Sequence, residues 1–122
     1  MKTAVTLGKF AAFAATAFSM SVAPAALAGK LHPAELVGLK SVVGAHAQVT
    51  FVNRSTQTIR IYWLNYVGSR VLYKTLDPGG QFLVFTYLHH PWLITDDDDN
   101  AWTIYFAEAQ PRRIEITEPV VD

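Results

Sequence analysis

The sequence predicts an all-β fold, a single seven-stranded antiparallel β-sandwich. From Gln48 onward, short segments rich in β-branched and aromatic residues alternate with turn signals. The strongest turn signal is Asp77-Pro78-Gly79-Gly80. Short strands repeating at intervals of about 8–12 residues are typical of a sandwich or barrel.

Seven segments are predicted as strands. They are residues 48–53, 58–66, 70–76, 81–88, 91–95, 101–109 and 112–118. The preceding segment, residues 32–44, is compatible with one or two helical turns, because Pro33 suits a first helical position and Leu36 and Leu39 are spaced as on a helix. An extended lead-in is the alternative.

Residues 1–28 have the pattern of a secretory signal peptide. Lys2 and Lys9 supply positive charge, the run from Phe10 to Met20 is apolar, and Ala26-Leu27-Ala28 offers a cleavage site. The apolar run is shorter than the roughly 20 residues that span a bilayer. We therefore expect cleavage after Ala28 and an exported protein, either periplasmic or secreted.

Cleavage would leave 94 of the 122 residues. We divide them into an N-terminal lead-in (29–46), a β domain (47–118) and a tail (119–122). Eight of the ten Lys and Arg would remain against all ten Asp and Glu, giving a net charge of −2. This charge argues against nucleic acids and anionic membranes as partners. With no cysteine, the core must stabilise the domain without disulfides.

The segment 58–66 is apolar on both faces near Trp63. Alternation places Ile59, Ile61 and Trp63 on one face, and Tyr62, Leu64 and Tyr66 on the opposite face. One interpretation is a central strand covered on both sides. The other is a sheet with one solvent-facing side, on which Trp63 would be an exposed binding residue.

Further candidate binding residues are expected near Trp63. Tyr73 lies across a short turn, within reach of a cross-strand or diagonal pair. Thr86, His90 and Trp92 follow at even spacing. We predict a shallow pocket in which the three aromatic rings are the walls and the hydroxyl and imidazole are the floor.

Three segments carry a resemblance to a known family. They are VTFVNRS (49–55), YWLNYVGSRVLYKTLDPGG (62–80) and FTYLHHPWLITD (85–96). They resemble the β domain of the von Hippel–Lindau tumour suppressor, and they are still more similar to its small exported bacterial relatives. The motifs Asn-Arg-Ser, Trp-Leu-Asn, Tyr-x-Thr-Leu-x-Pro-Gly and His-x-Trp occur in order, without a gap from Val49 to Asp96.

The resemblance implies a seven-stranded β-sandwich that binds a peptide carrying 4-hydroxyproline, as the animal member does. The family's pocket residues fall on Trp63, Tyr73, Thr86, His90 and Trp92. Thr86 replaces a Ser and keeps the hydroxyl, whereas Phe85 stands where the family has a His. The animal member continues into a helical domain that binds elongin C. Because this chain ends at Asp122, we expect neither that domain nor a ubiquitin ligase partner.

By the same resemblance, the ligand hydroxyl would bind the Thr86 hydroxyl and an imidazole nitrogen of His90, and the Tyr73 hydroxyl would reach a peptide carbonyl. An unmodified proline would leave these groups unpaired, at a cost of roughly 1–3 kcal/mol for each buried group. The alternative is a structural or protein–protein interaction domain that keeps the fold without hydroxyproline binding. The identity of the ligand and the oligomeric state stay open.

Metal binding and catalysis are not expected. His89 and His90 are adjacent and would point to opposite faces of a strand, with His89 at the surface and Pro91 shaping the bend. The acidic turn at 95–100 lacks the spacing of an EF-hand loop, although weak calcium binding stays open there. The chain has no cysteine nucleophile, Gly-x-Ser-x-Gly, zinc motif or phosphate loop, and a His90–Thr86 pair has no evident orienting acid. We expect a non-enzyme without cofactors.

Overall fold

The computed structural model describes residues 29–120. The predicted signal peptide (1–28) and the last two residues of the predicted tail lie outside this range. The described part forms one short helix and seven strands. They are α1 (Pro33–Leu36), β1 (His46–Asn53), β2 (Ile59–Leu64), β3 (Arg70–Leu76), β4 (Gln81–Tyr87), β5 (Trp92–Asp96), β6 (Ala101–Tyr105) and β7 (Arg112–Ile116).

The strands form two sheets, which confirms the predicted seven-stranded β-sandwich. One sheet has the order β4-β1-β7 and the other β3-β2-β5-β6. The four-stranded sheet is antiparallel, but β1 and β7 pair in parallel, so the three-stranded sheet is mixed. A parallel pair needs a long connection. The five strands between β1 and β7 provide such a connection. Because β1 and β7 are the first and last strands of the chain, the pattern of either strand alone does not predict that they pair.

The main core lies between the two sheets. Alternation along β1 turns Val49 and Phe51 inward, and alternation along β2 does the same for Ile59 and Ile61. All four side chains are fully buried. Strands β4, β5 and β7 add further apolar side chains to the same core, namely Val84, Trp92, Ile94, Ile114 and Ile116.

A second, smaller core covers the outer face of the four-stranded sheet. Tyr62, Leu64 and Leu93 are buried there, and Leu39 of the lead-in segment packs against them. The Ser41 hydroxyl donates a hydrogen bond to the carbonyl oxygen of Leu64 at 2.5 Å. Strand β2 is therefore covered on both sides, and the alternative that placed Trp63 on a solvent-facing side is wrong.

The lead-in segment is attached through α1. Pro33 begins the helix, and His32 and Glu35 form a capping box in which each side chain accepts a backbone N–H, at 2.9 and 2.7 Å. Both carboxylate oxygens of Glu35 also accept from the Arg70 guanidinium on β3, at 2.8 and 3.0 Å. The expected short helix is confirmed, and it is joined to the sheet by an ion pair.

No helix within residues 29–120 has the length and apolar character that crossing a bilayer requires.

Candidate functional site

An open cavity of about 140 Å³ lies beside β3 and β4, the edge strands of the two sheets. Three aromatic rings and a buried polar pair converge on it. The structure thus brings together all five residues singled out in the sequence. The cavity is lined by Trp63, Tyr66, Tyr73, Phe85, Thr86, Tyr87, His90 and Trp92.

The two tryptophans owe their position to strand register. Trp63 on β2 and Trp92 on β5 are directly paired across the antiparallel ladder, so their side chains point to the same face. That face is the inner one, because Trp63 packs against the main core and Trp92 belongs to it. Trp63 is partly exposed and Trp92 is only 2% exposed, so Trp63 forms the outer wall and Trp92 the inner one.

Tyr73 reaches the cavity through a β-bulge. Ile61 pairs with Lys74 and Tyr62 pairs with Leu72, so Tyr73 is the extra residue on β3. A bulge of this kind redirects the side chain of the extra residue. The Tyr73 ring lies edge-on to Trp92 at 4.9 Å between centroids, and 6.2 Å from Trp63.

Thr86 forms part of the polar floor. Along β4 the side chains alternate between exposed and buried, and Thr86 points inward with 3% exposure. Its Oγ1 accepts the indole N–H of Trp92 at 3.0 Å. None of the described residues accepts the hydroxyl hydrogen of Thr86, so this buried donor faces the cavity unpaired.

His90 enters the cavity from the connection between β4 and β5. His89 before it is exposed and has a φ of 69°, a left-handed conformation that turns the chain. His90 itself is 3% exposed. Adjacent residues therefore have opposite environments, with His89 at the surface and His90 inside.

Both ring nitrogens of His90 have partners. The Nδ1 atom accepts the indole N–H of Trp63 at 3.0 Å, and the Nε2 atom lies 3.3 Å from the Tyr66 hydroxyl oxygen. Because Nδ1 is an acceptor, we assign the hydrogen of the neutral ring to Nε2, which donates it to Tyr66.

Burial lowers the pKa of His90 below its ordinary value. A hydrogen bond with the backbone of Val42 opposes this, and the neighbouring His89 adds a smaller lowering effect. The neutral ring consequently persists to lower pH than in an exposed histidine. Protonation would put a second hydrogen on Nδ1, directly against the indole N–H of Trp63.

The sequence patterns missed three residues at the rim. The prediction that Tyr66 lies on the face opposite Trp63 is wrong, because β2 ends at Leu64 and strand alternation does not extend to Tyr66. Phe85 and Tyr87 alternate with Thr86 and point to the outer face of β4, yet they reach the cavity because β4 is an edge strand. The Tyr87 ring lies 5.1 Å from His90.

The acidic turn uses its carboxylates internally. Asp96 accepts the backbone N–H groups of Asp98 and Asn100, at 2.9 and 3.0 Å. Burial alone would raise the pKa of Asp99, but hydrogen bonds from Tyr62 and Arg60 outweigh it and lower that pKa. Across residues 29–120, no three His, Asp or Glu side chains are grouped as metal ligands.

The fold and the cavity define a class of protein, a small β-sandwich with an aromatic-lined pocket at the edge between its sheets. The family model described as the VHL beta domain matches residues 38–111, more than half of the chain. The chain belongs to this family. Membership implies a module that binds a peptide or a protein.

Proposed function

We propose that this chain is an exported binding module whose aromatic pocket takes a hydroxyproline-like residue of an extended peptide or protein. One observation carries the proposal. The rings of Trp63, Tyr73 and Trp92 surround a buried floor in which the hydroxyl hydrogen of Thr86 has no acceptor among the described residues, beside the imidazole of His90. Such a floor is complementary to a ring that carries a polar substituent.

A substituted pyrrolidine ring suits these walls for two physical reasons. Its apolar faces can pack against aromatic rings, where each such contact is worth on the order of 0.5–1.5 kcal/mol. Proline also has its φ fixed before binding, so less conformational entropy is lost when the peptide docks. A ring hydroxyl would in addition give Thr86 the acceptor that it lacks.

We expect a hydroxyprolyl peptide to bind about tenfold tighter than its prolyl counterpart, since one buried hydrogen bond contributes about 1–1.5 kcal/mol. Calorimetric titration of the two matched peptides, with free hydroxyproline alongside, measures the ratio. Trp63→Ala should weaken both peptides, because it removes a wall, whereas His90→Ala should act mainly on the hydroxylated one. The control is Leu83→Ala, an exposed residue on β4 that does not line the pocket. Equal affinity for the two peptides, or none for either, would refute the proposal.

The export part of the proposal rests on residues 1–28 alone. Expressed in a secreting host, the protein should accumulate in the periplasm or medium with Gly29 as its first residue. N-terminal sequencing or intact mass checks this. Retention of Met1 in the exported fraction, or retention of the protein inside the cell, would contradict it. Catalysis, a cofactor, nucleic acid and a ubiquitin ligase form no part of the proposed function.

A second candidate is a protein–protein interaction domain that does not use the pocket. The outer face of β4 favours it, because Leu83, which does not line the pocket, is 48% exposed beside the rim residues Phe85 and Tyr87, which are 76% and 38% exposed. Exposed apolar side chains in a row are typical of interaction surfaces. Partner binding that survives His90→Ala but is lost in Leu83→Ala, at a residue that does not line the pocket, would favour this candidate over the first.

A further inference from the structure

The acceptor nitrogen in the floor of the pocket is already occupied. A neutral imidazole offers one acceptor and one donor, and in His90 these are taken by Trp63 and Tyr66. Thr86 accepts one bond from Trp92 and keeps its hydroxyl hydrogen and a second lone pair. As long as Trp63 keeps its place, His90 has no ring nitrogen available for a ligand.

This arrangement limits how a ligand hydroxyl can enter. Its oxygen can accept from Thr86, but its own hydrogen also needs an acceptor. Burying a donor without a partner lowers affinity by roughly 5- to 150-fold. Two hydroxyl groups form one hydrogen bond with each other, so a Thr86 that donates to the ligand oxygen does not also accept the ligand hydrogen. The other acceptor in the floor is Nδ1 of His90, and the indole N–H of Trp63 occupies it.

On the basis of the proposed function, we infer that in the free protein the indole N–H of Trp63 occupies the nitrogen of His90 to which the ligand hydroxyl binds in the complex. Ligand binding then replaces the first hydrogen bond with the second. The bond from Trp63 to Nδ1 breaks, and the ligand O–H donates to Nδ1 while Thr86 donates to the ligand oxygen. No proton is transferred. Trp63 is partly exposed at the outer wall, so its released N–H can turn towards solvent.

The exchange explains why the empty pocket is stable. His90 is almost fully buried, and an unpaired buried acceptor is unfavourable. The indole N–H satisfies Nδ1 until a ligand arrives. Trp63 therefore has two roles, one through its ring as a wall and one through its N–H as a removable partner of His90.

The exchange also defines the class of group that the site selects. The group must accept one hydrogen bond from Thr86 and donate one to His90, which an alcohol does. Ether, fluoro and carbonyl groups only accept, and an ammonium group only donates. A peptide with a hydroxyl at position 4 of the ring should therefore bind at least about tenfold more tightly than one with fluorine at that position.

Nuclear magnetic resonance of the tryptophan indole N–H groups tests the inference. The Trp63 signal is assigned with the variant Trp63→Phe. Its chemical shift without an acceptor is measured in His90→Phe, or in His90→Leu if the phenyl ring prevents folding. In the free protein, either His90 variant should move the Trp63 signal and leave that of Trp92, which is bonded to Thr86, in place. If the Trp63 signal does not move when His90 is replaced, the inference is overturned before any ligand is added.

Three matched peptides then separate the exchange from simple packing. With the hydroxyprolyl peptide, the Trp63 signal should move towards its position in the His90 variant. With the fluoroprolyl and prolyl peptides it should stay near its position in the free protein. The same response to all three, with the preference for the hydroxyl intact, would overturn the exchange alone. Equal affinities, or no binding, would overturn the proposed function and the exchange together.

Discussion

The variant Glu35→Gln is expected to lose about 3 kcal/mol of its free energy of unfolding, because it breaks a buried ion pair. Glu35 and Arg70 are hydrogen-bonded at 2.8 and 3.0 Å, with side chains 5% and 7% exposed. Glutamine would place an N–H₂ group against the guanidinium donors. The buried charge of Arg70 would lose its carboxylate and keep neutral partners, namely the glutamine amide oxygen, the carbonyl oxygens of Lys30 and Asp99 and the ring of Tyr62. Urea denaturation followed by tryptophan fluorescence measures the loss.

A surface ion pair provides the matched control for this variant. Arg54 and Glu115 are 3.5 Å apart with side chains 52% and 51% exposed, so Glu115→Gln should leave the free energy of unfolding nearly unchanged. Arg70→Met should destabilise as Glu35→Gln does, and the double variant should lose less than the sum of the two. Equal small losses from the buried and the exposed pair would show that α1 does not stabilise the fold.

The second large effect is expected from Thr86→Val, which keeps the shape of the side chain and removes its hydroxyl. The preference for hydroxyprolyl over prolyl peptide should fall by about tenfold, since the floor loses the donor that meets the ligand oxygen. The buried indole N–H of Trp92 also loses its acceptor, so stability should fall by roughly 1–3 kcal/mol. Titration of both peptides and urea denaturation measure the two losses separately.

Thr86→Ser is the control, because it keeps the hydroxyl and removes only a methyl group. It should retain both the preference for the hydroxylated peptide and the bond to Trp92. If Thr86→Val discriminates between the two peptides as well as Thr86→Ser does, Thr86 is not the residue that recognises the ligand hydroxyl. In that case the pocket would distinguish the peptides through His90 alone.

The strands were predictable because they depend on local chemistry. Each observed strand lies within about two residues of the predicted segment, except β6, which ends at Tyr105 rather than residue 109. The segment after Tyr105 is apolar enough to be read as strand, yet it lies outside the ladder with β5. Apolar character marks a segment that can be buried, but pairing with a neighbour decides where a strand ends.

The residues that form the site were predictable from the sequence, but the way in which the fold positions them was not. The five residues came from motifs in the sequence, whereas the direction of Tyr73 depends on a bulge that only pairing with β2 reveals. Tyr66 was missed because it lies beyond the end of a strand. The side of the sheet to which Trp63 points was left open, since nothing local shows that Leu39 covers the opposite face.

The sequence by itself determined a seven-stranded sandwich and the residue types of an aromatic pocket, because alternation, turn signals and motifs are local properties of the chain. Tertiary structure alone decided that α1 is held by Glu35 and Arg70, that β1 and β7 run in parallel, and that Trp63 donates to His90. These contacts join residues 27 to 63 positions apart. Each depends on register and packing between elements, which no local pattern encodes.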